Sequence, residues 1–181
     1  MTTKTFAPIH LHEQELDLSN LGLRWGISHT VDAQKLEVFV NVKKINFCGN
    51  ACDYFPLDFS KFTDLEELNL AKNDLGYWWQ NKQFRIGYHF EKLTKLRGLD
   101  LSFNNLVYAK IPDEWQFLET LEYINLSNNH LGESNYGEVL HLEGIENLRN
   151  CKVLDISNNP KLAAKEIENL KKILKNTEII K

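Results

Sequence analysis

Five stretches of this chain are copies of one nine-residue template, and tandem repetition restricts a fold more than any single motif does. Residues 42–50 read VKKINFCGN, 65–73 LEELNLAKN, 96–104 LRGLDLSFN, 121–129 LEYINLSNN and 151–159 CKVLDISNN. All fit apolar-x-x-L-x-L-x-x-N, with Ile, Phe or Cys as apolar substitutes. A weaker copy, 13–21 (EQELDLSNL), has Glu13 in the first apolar place and Asn20 one place early. It reads as an N-terminal cap. The copies start at 13, 42, 65, 96, 121 and 151, so the spacings are 29, 23, 31, 25 and 30 residues. Apolar residues also recur six and three places ahead of each good copy: Leu36 and Phe39, Phe59 and Phe62, Phe90 and Leu93, Trp115 and Leu118, Ile145 and Leu148.

The template predicts one short strand per repeat. Side chains alternate across a strand, so the fourth and sixth positions, such as Leu68 and Leu70, face inward while their neighbours face out. A single strand buries too little to be stable; stacked copies form a parallel sheet whose inward rows merge into one core. Asn50, Asn73, Asn104, Asn129 and Asn159 fall where the chain turns from the sheet. Their amides can satisfy backbone groups that a buried turn leaves without partners. Cys151 takes the first apolar place, Cys52 the apolar place after Asn50, and Cys48 a small-residue column with Ser19, Ala71, Ser102, Ser127 and Ser157. The three cysteines are thus expected to be packed thiols rather than ligands or a disulfide framework.

These repeats resemble the leucine-rich-repeat family from about Leu16 to the C-terminus. The resemblance implies an α/β solenoid with a concave parallel β-sheet, helical or irregular convex segments, and a protein-binding role. Ile111-Pro112 ahead of Trp115 looks like the I-P element of the class common in plant receptors. The end, LKKILKNTEIIK over 170–181, resembles the helix and short last strand that close small bacterial members. One domain is expected over 1–181: a weak repeat or cap at 12–41, five repeats at 42–162, and the closing helix and strand at 163–181.

Lys and Arg total 21 against 25 Asp and Glu, a net charge of −4, which gives no footprint for nucleic acid or an anionic membrane. No apolar run follows the Lys of MTTKTFAP, so no secretory leader is expected, and three cysteines fit a reducing, cytoplasmic setting. The phosphate-binding, dinucleotide, nucleophile-elbow and zinc-protease motifs are all missing. His10 and His12 would share one side of an extended segment, but no third ligand is indicated; Glu13 and Glu15 are near. The expectation is a non-catalytic module, monomeric when free, without cofactor or metal. A structural subunit of a larger assembly is the alternative, and an enzyme with scattered site residues the remote one.

The register also predicts what the outer face presents. The second position runs Gln14, Lys43, Glu66, Arg97, Glu122, Lys152, with charge alternating from Lys43 onward, which fits an internal ion-pair ladder or, as the alternative, a mixed-charge docking strip. The third runs Glu15, Lys44, Glu67, Gly98, Tyr123, Val153, changing from charged to uncharged. The fifth is polar: Asp17, Asn46, Asn69, Asp100, Asn125, Asp155. The eighth holds Phe103 among Asn20, Gly49, Lys72, Asn128 and Asn158. Phe103, Tyr123, Val153 and Gly98 are the expected partner-binding residues, because exposed aromatics make hot spots, with packing under a neighbouring loop the alternative. Tyr77, Trp78 and Trp79, in the 31-residue repeat with Phe84 and Tyr88, form a secondary candidate, with gap-filling packing the preferred role.

Overall fold

Rows of apolar residues in equivalent places require equivalent strands, and the chain forms them. The computed structural model describes residues 11–12, 14–22, 41–53, 61–76, 92–107, 109–110, 119–132 and 142–181. The strands are β1 (Leu11–His12), β2 (Glu15–Asp17), β3 (Lys44–Asn46), β4 (Glu67–Asn69), β5 (Gly98–Asp100), β6 (Ala109–Lys110), β7 (Tyr123–Asn125), β8 (Leu142–Glu143), β9 (Val153–Asp155) and β10 (Glu178–Ile180). Eight build one sheet in the order β1-β2-β3-β4-β5-β7-β9-β10. All neighbours in it run parallel except β1, which folds back antiparallel on β2.

The register matches position for position: Leu16, Ile45, Leu68, Leu99, Ile124 and Leu154 lie side by side across the parallel strands. They form one buried row, Leu18, Phe47, Leu70, Leu101, Leu126 and Ile156 a second, and Val42, Leu65, Leu96, Leu121 and Cys151 a third. Phe62, Leu93, Ile145 and Leu148, ahead of the templates, close the same core. Each repeat therefore buries its apolar side chains only against its neighbours, at about 1.5–3 kcal/mol per buried Leu.

The ladder continues past the strands. Phe47 N–H donates to Asn69 O at 2.8 Å, Leu70 to Asp100 O at 2.8 Å and Leu101 to Asn125 O at 2.8 Å. Neighbouring turns come close enough to demand glycine at two places. A Cβ on Gly76 would strike the Asn105 carbonyl, and one on Gly132 the Lys161 carbonyl.

A second sheet pairs β6 with β8 in parallel, joining the returning segments of two successive repeats. At the C-terminal end, helix α1 (Ala164–Ile173) turns Leu170 inward, Leu174 follows it into the core, and β10 pairs with β9. Lys171 and Lys172 in its last turn oppose the negative end of the helix dipole. Among the described residues, no helix is long and apolar enough to cross a membrane.

Candidate functional site

Outward-facing side chains belong to rows fixed by the strand register, so the face can be built row by row. The second row is a chain of ion pairs. Lys43 Nζ lies 3.2 Å from Glu66 and Arg97 3.1 Å from Glu122, which also takes Lys152 Nζ at 2.8 Å. Hydrogen bonds from Lys152 and Arg97 hold the Glu122 carboxyl below the usual range. In the third row Lys44 meets Glu67 at 2.8 Å, and that bond raises the Lys44 pKa. The cations at these positions are thus already neutralised by neighbours one strand away.

The third row then changes as expected from its residues. Gly98, Tyr123 and Val153 are direct neighbours across β5, β7 and β9, with Glu178 beyond Val153 on β10. Tyr123 is 36% exposed and Val153 half-buried. Burial first, then the Asp100 and Asp155 charges, raises the Tyr123 pKa. A Cβ at Gly98 would meet nothing closer than Glu67 Cγ at 3.8 Å, so the backbone does not require glycine there. Its missing side chain leaves room in a shallow groove of about 300 Å³, bordered by Lys44, Glu67, Asp100 and Tyr123 among others.

The fifth row has a role that its polarity alone did not reveal. Each side-chain oxygen accepts the backbone N–H two residues on: Asp17 from Ser19 at 2.9 Å, Asn46 from Cys48 at 3.1 Å, Asn69 from Ala71, Asp100 from Ser102, Asn125 from Ser127 and Asp155 from Ser157, the last four at 2.9 Å. These are Asx turns that begin the bend out of the sheet. The signal was present as Asp or Asn two places before a small residue in every copy.

The eighth row is unusual in its backbone. Asn20, Lys72, Phe103, Asn128 and Asn158 have φ of 55–56°, and Gly49 has φ 75°. Left-handed backbone costs an ordinary L-residue roughly 1–2 kcal/mol, and Gly, Asn and Asp adopt it most readily. Asn20 therefore sits correctly in the eighth row and is not a displaced turn Asn; Leu21 takes the ninth place, and its N–H donates to Asn50 Oδ1 at 2.9 Å. Phe103 is a bulky residue in this conformation and is 48% exposed, with Lys72 Nζ 5.9 Å from its ring centre.

The structure brings Gly98, Tyr123 and Val153 together but sets Phe103 in a different row, five residues along the chain from Gly98. An extended chain covers at most ~17 Å in that distance. The fifth row, with Asp100, Asn125 and Asp155, lies between. Tyr77, Trp78, Trp79, His10 and Ile111-Pro112 lie outside the described residues, as do most of the insertions. His12 lies in β1. Among the described residues, no cluster of three metal-ligating side chains occurs.

A model of the Leucine Rich Repeat family matches residues 120–148. A solved leucine-rich-repeat protein from Leptospira interrogans is 26% identical, with a TM-score of 0.59 over 81% of this chain and 33% of that one. The leucine-rich-repeat domain of APL1B is 22% identical, with a TM-score of 0.59 over 80% of this chain and 38% of that one. A structure of the Toll–Spätzle complex from Drosophila is similar at 23% identity and TM-score 0.54, over 70% of this chain and 15% of that one. The chain thus spans about a third of the length of the first two. These neighbours share the leucine-rich-repeat fold. The tandem repeat, the parallel sheet it builds and these matches give the chain the fold of a leucine-rich-repeat protein.

Proposed function

We propose that the chain is a non-catalytic binding module that recognises a protein partner on the C-terminal half of its concave face. Phe103, Tyr123 and Val153 supply the apolar contact, and Gly98 the clearance beside them. The observation that carries this reading is Phe103: a large aromatic left half in solvent, in a backbone conformation that Asn or Gly occupies at less cost in four of the six equivalent repeats. Strain retained at an exposed residue points to a use outside the fold. The paired charges of the N-terminal half contribute less, because neighbouring side chains already satisfy them. Three free cysteines, two of them buried, support a reducing, cytoplasmic setting.

Immobilised protein and its Tyr123→Ala and Phe103→Ala variants, exposed to the same native lysate, test the reading. A protein retained by the parent and by Lys44→Ala, but lost from the two aromatic variants, is the expected result. Equal retention by all four proteins contradicts it.

A further inference from the structure

We infer that this face, if it is the docking site proposed above, takes a cationic segment of the partner, an Arg or Lys side chain laid on Tyr123 with its head over Asn125, between Asp100 and Asp155. Tyr123 and Asn125 lie on β7, the middle strand of three, with Asp100 on β5 and Asp155 on β9. Strands lie ~4.8 Å apart, so the two carboxylates stand on strands about 10 Å apart, with Asn125 between them. That is room for one planar guanidinium or one ammonium. Each Asp uses Oδ1 for its own turn, to Ser102 or Ser157 at 2.9 Å, while its second oxygen can accept from a donor.

Charge complementarity sets the sign of the occupant. Lys43, Lys44, Arg97 and Lys152 are each bridged to a glutamate. Asp100 and Asp155 make no ion pair among the described residues, and Glu178, beside Val153, adds a further carboxylate. The net charge left open around the aromatic ring is therefore negative, and an acidic segment would be repelled. The face already makes the required kind of contact once, where Lys72 lies over Phe103. A cation on a half-exposed Tyr ring gains both from the ring face and from flanking carboxylates.

The fold supplies its own control. Asn stands in place of Asp at 46, 69 and 125 and accepts the same turn hydrogen bond. Asp100→Asn with Asp155→Asn therefore removes two charges and keeps both turns. The probe is a blocked peptide, acetyl-Gly-Leu-Arg-Leu-Gly-amide, titrated into isotope-labelled protein and followed by amide chemical shifts. Its matched controls carry citrulline or Glu in place of Arg. The Arg peptide is expected to shift the signals of Gly98, Tyr123 and Asp155 and to bind roughly fivefold tighter than the citrulline peptide. The double Asn variant should erase that preference. Equal binding of the Arg and citrulline peptides, preference for Glu, or no shift at these residues overturns the inference. The protein captured by the parent separates this inference from the docking proposal itself. If Tyr123→Ala loses it while the double Asn variant binds it as tightly as the parent, the docking face stands and the cationic occupant is wrong.

Discussion

Asn104 shows what a single residue does in this fold. Its amide donates to Leu70 O at 2.9 Å in the preceding turn and to Leu101 O at 3.1 Å in its own, while its Oδ1 accepts from Leu75 N–H. Asn104→Ala leaves these buried groups without partners and should destabilise the protein by roughly 1–3 kcal/mol in denaturant melts. Asn128 faces outward, yet its Ala variant is not innocuous, because its backbone is left-handed. Asn128→Gly should be close to neutral while Asn128→Ala costs about 1 kcal/mol. The same logic gives Phe103 an unusual profile. Phe103→Ala keeps the backbone cost and should leave the melt nearly unchanged, whereas Phe103→Asn should stabilise by up to ~1 kcal/mol. A loss above ~2 kcal/mol in Phe103→Asn would place the ring in the core and contradict the row assignment. The Cys151 thiol is raised by burial to about 11, so roughly a thousandth is thiolate at pH 8. Native alkylation of Cys151 should be slow and become fast on unfolding, as mass spectrometry of trapped peptides can read.

At the scale of elements, the strands and their inward rows were legible because a period of two and a repeated template fix them together. The Asn column was legible for the same reason, but its direction was not. Each Asn serves the turn before it, as Asn50 does by donating to Leu18 O at 2.8 Å. The weak first repeat therefore manages with Leu21 in the ninth place. The left-handed eighth row stayed hidden because Lys72 and Phe103 break the Asn and Gly pattern that would announce it. The closing helix was expected, within 163–181, only from the resemblance of the chain's end to small members of the family, and it spans Ala164–Ile173. Leu170, buried against the last repeat, anchors it. Leu170→Ala should cost about 2–5 kcal/mol and raise hydrogen exchange first in β10. Uniform exchange across the sheet would show instead that this cap is not a separate element.

At the scale of the molecule, the sheet is one surface whose two halves differ in what they leave unsatisfied. In the third row, toward β3 and β4, Lys44 closes on Glu67. Toward β7 and β9 an aromatic ring and open carboxylates remain. The sequence columns showed that change of character, with Tyr123 in the third column and Phe103 in the eighth, but a column list carries side-chain type and not distance along the strand. Rows three, five and eight instead offer a partner an aromatic contact, a line of carboxylates and a second aromatic contact in succession. Calorimetric titration of the captured partner against the parent, Tyr123→Ala and Lys44→Ala tests this division most directly. Tyr123→Ala should weaken binding by roughly 1–3 kcal/mol with an unchanged melting curve, and Lys44→Ala by under about 1 kcal/mol. A larger loss at Lys44 than at Tyr123 would contradict the assignment of the binding surface to the C-terminal half.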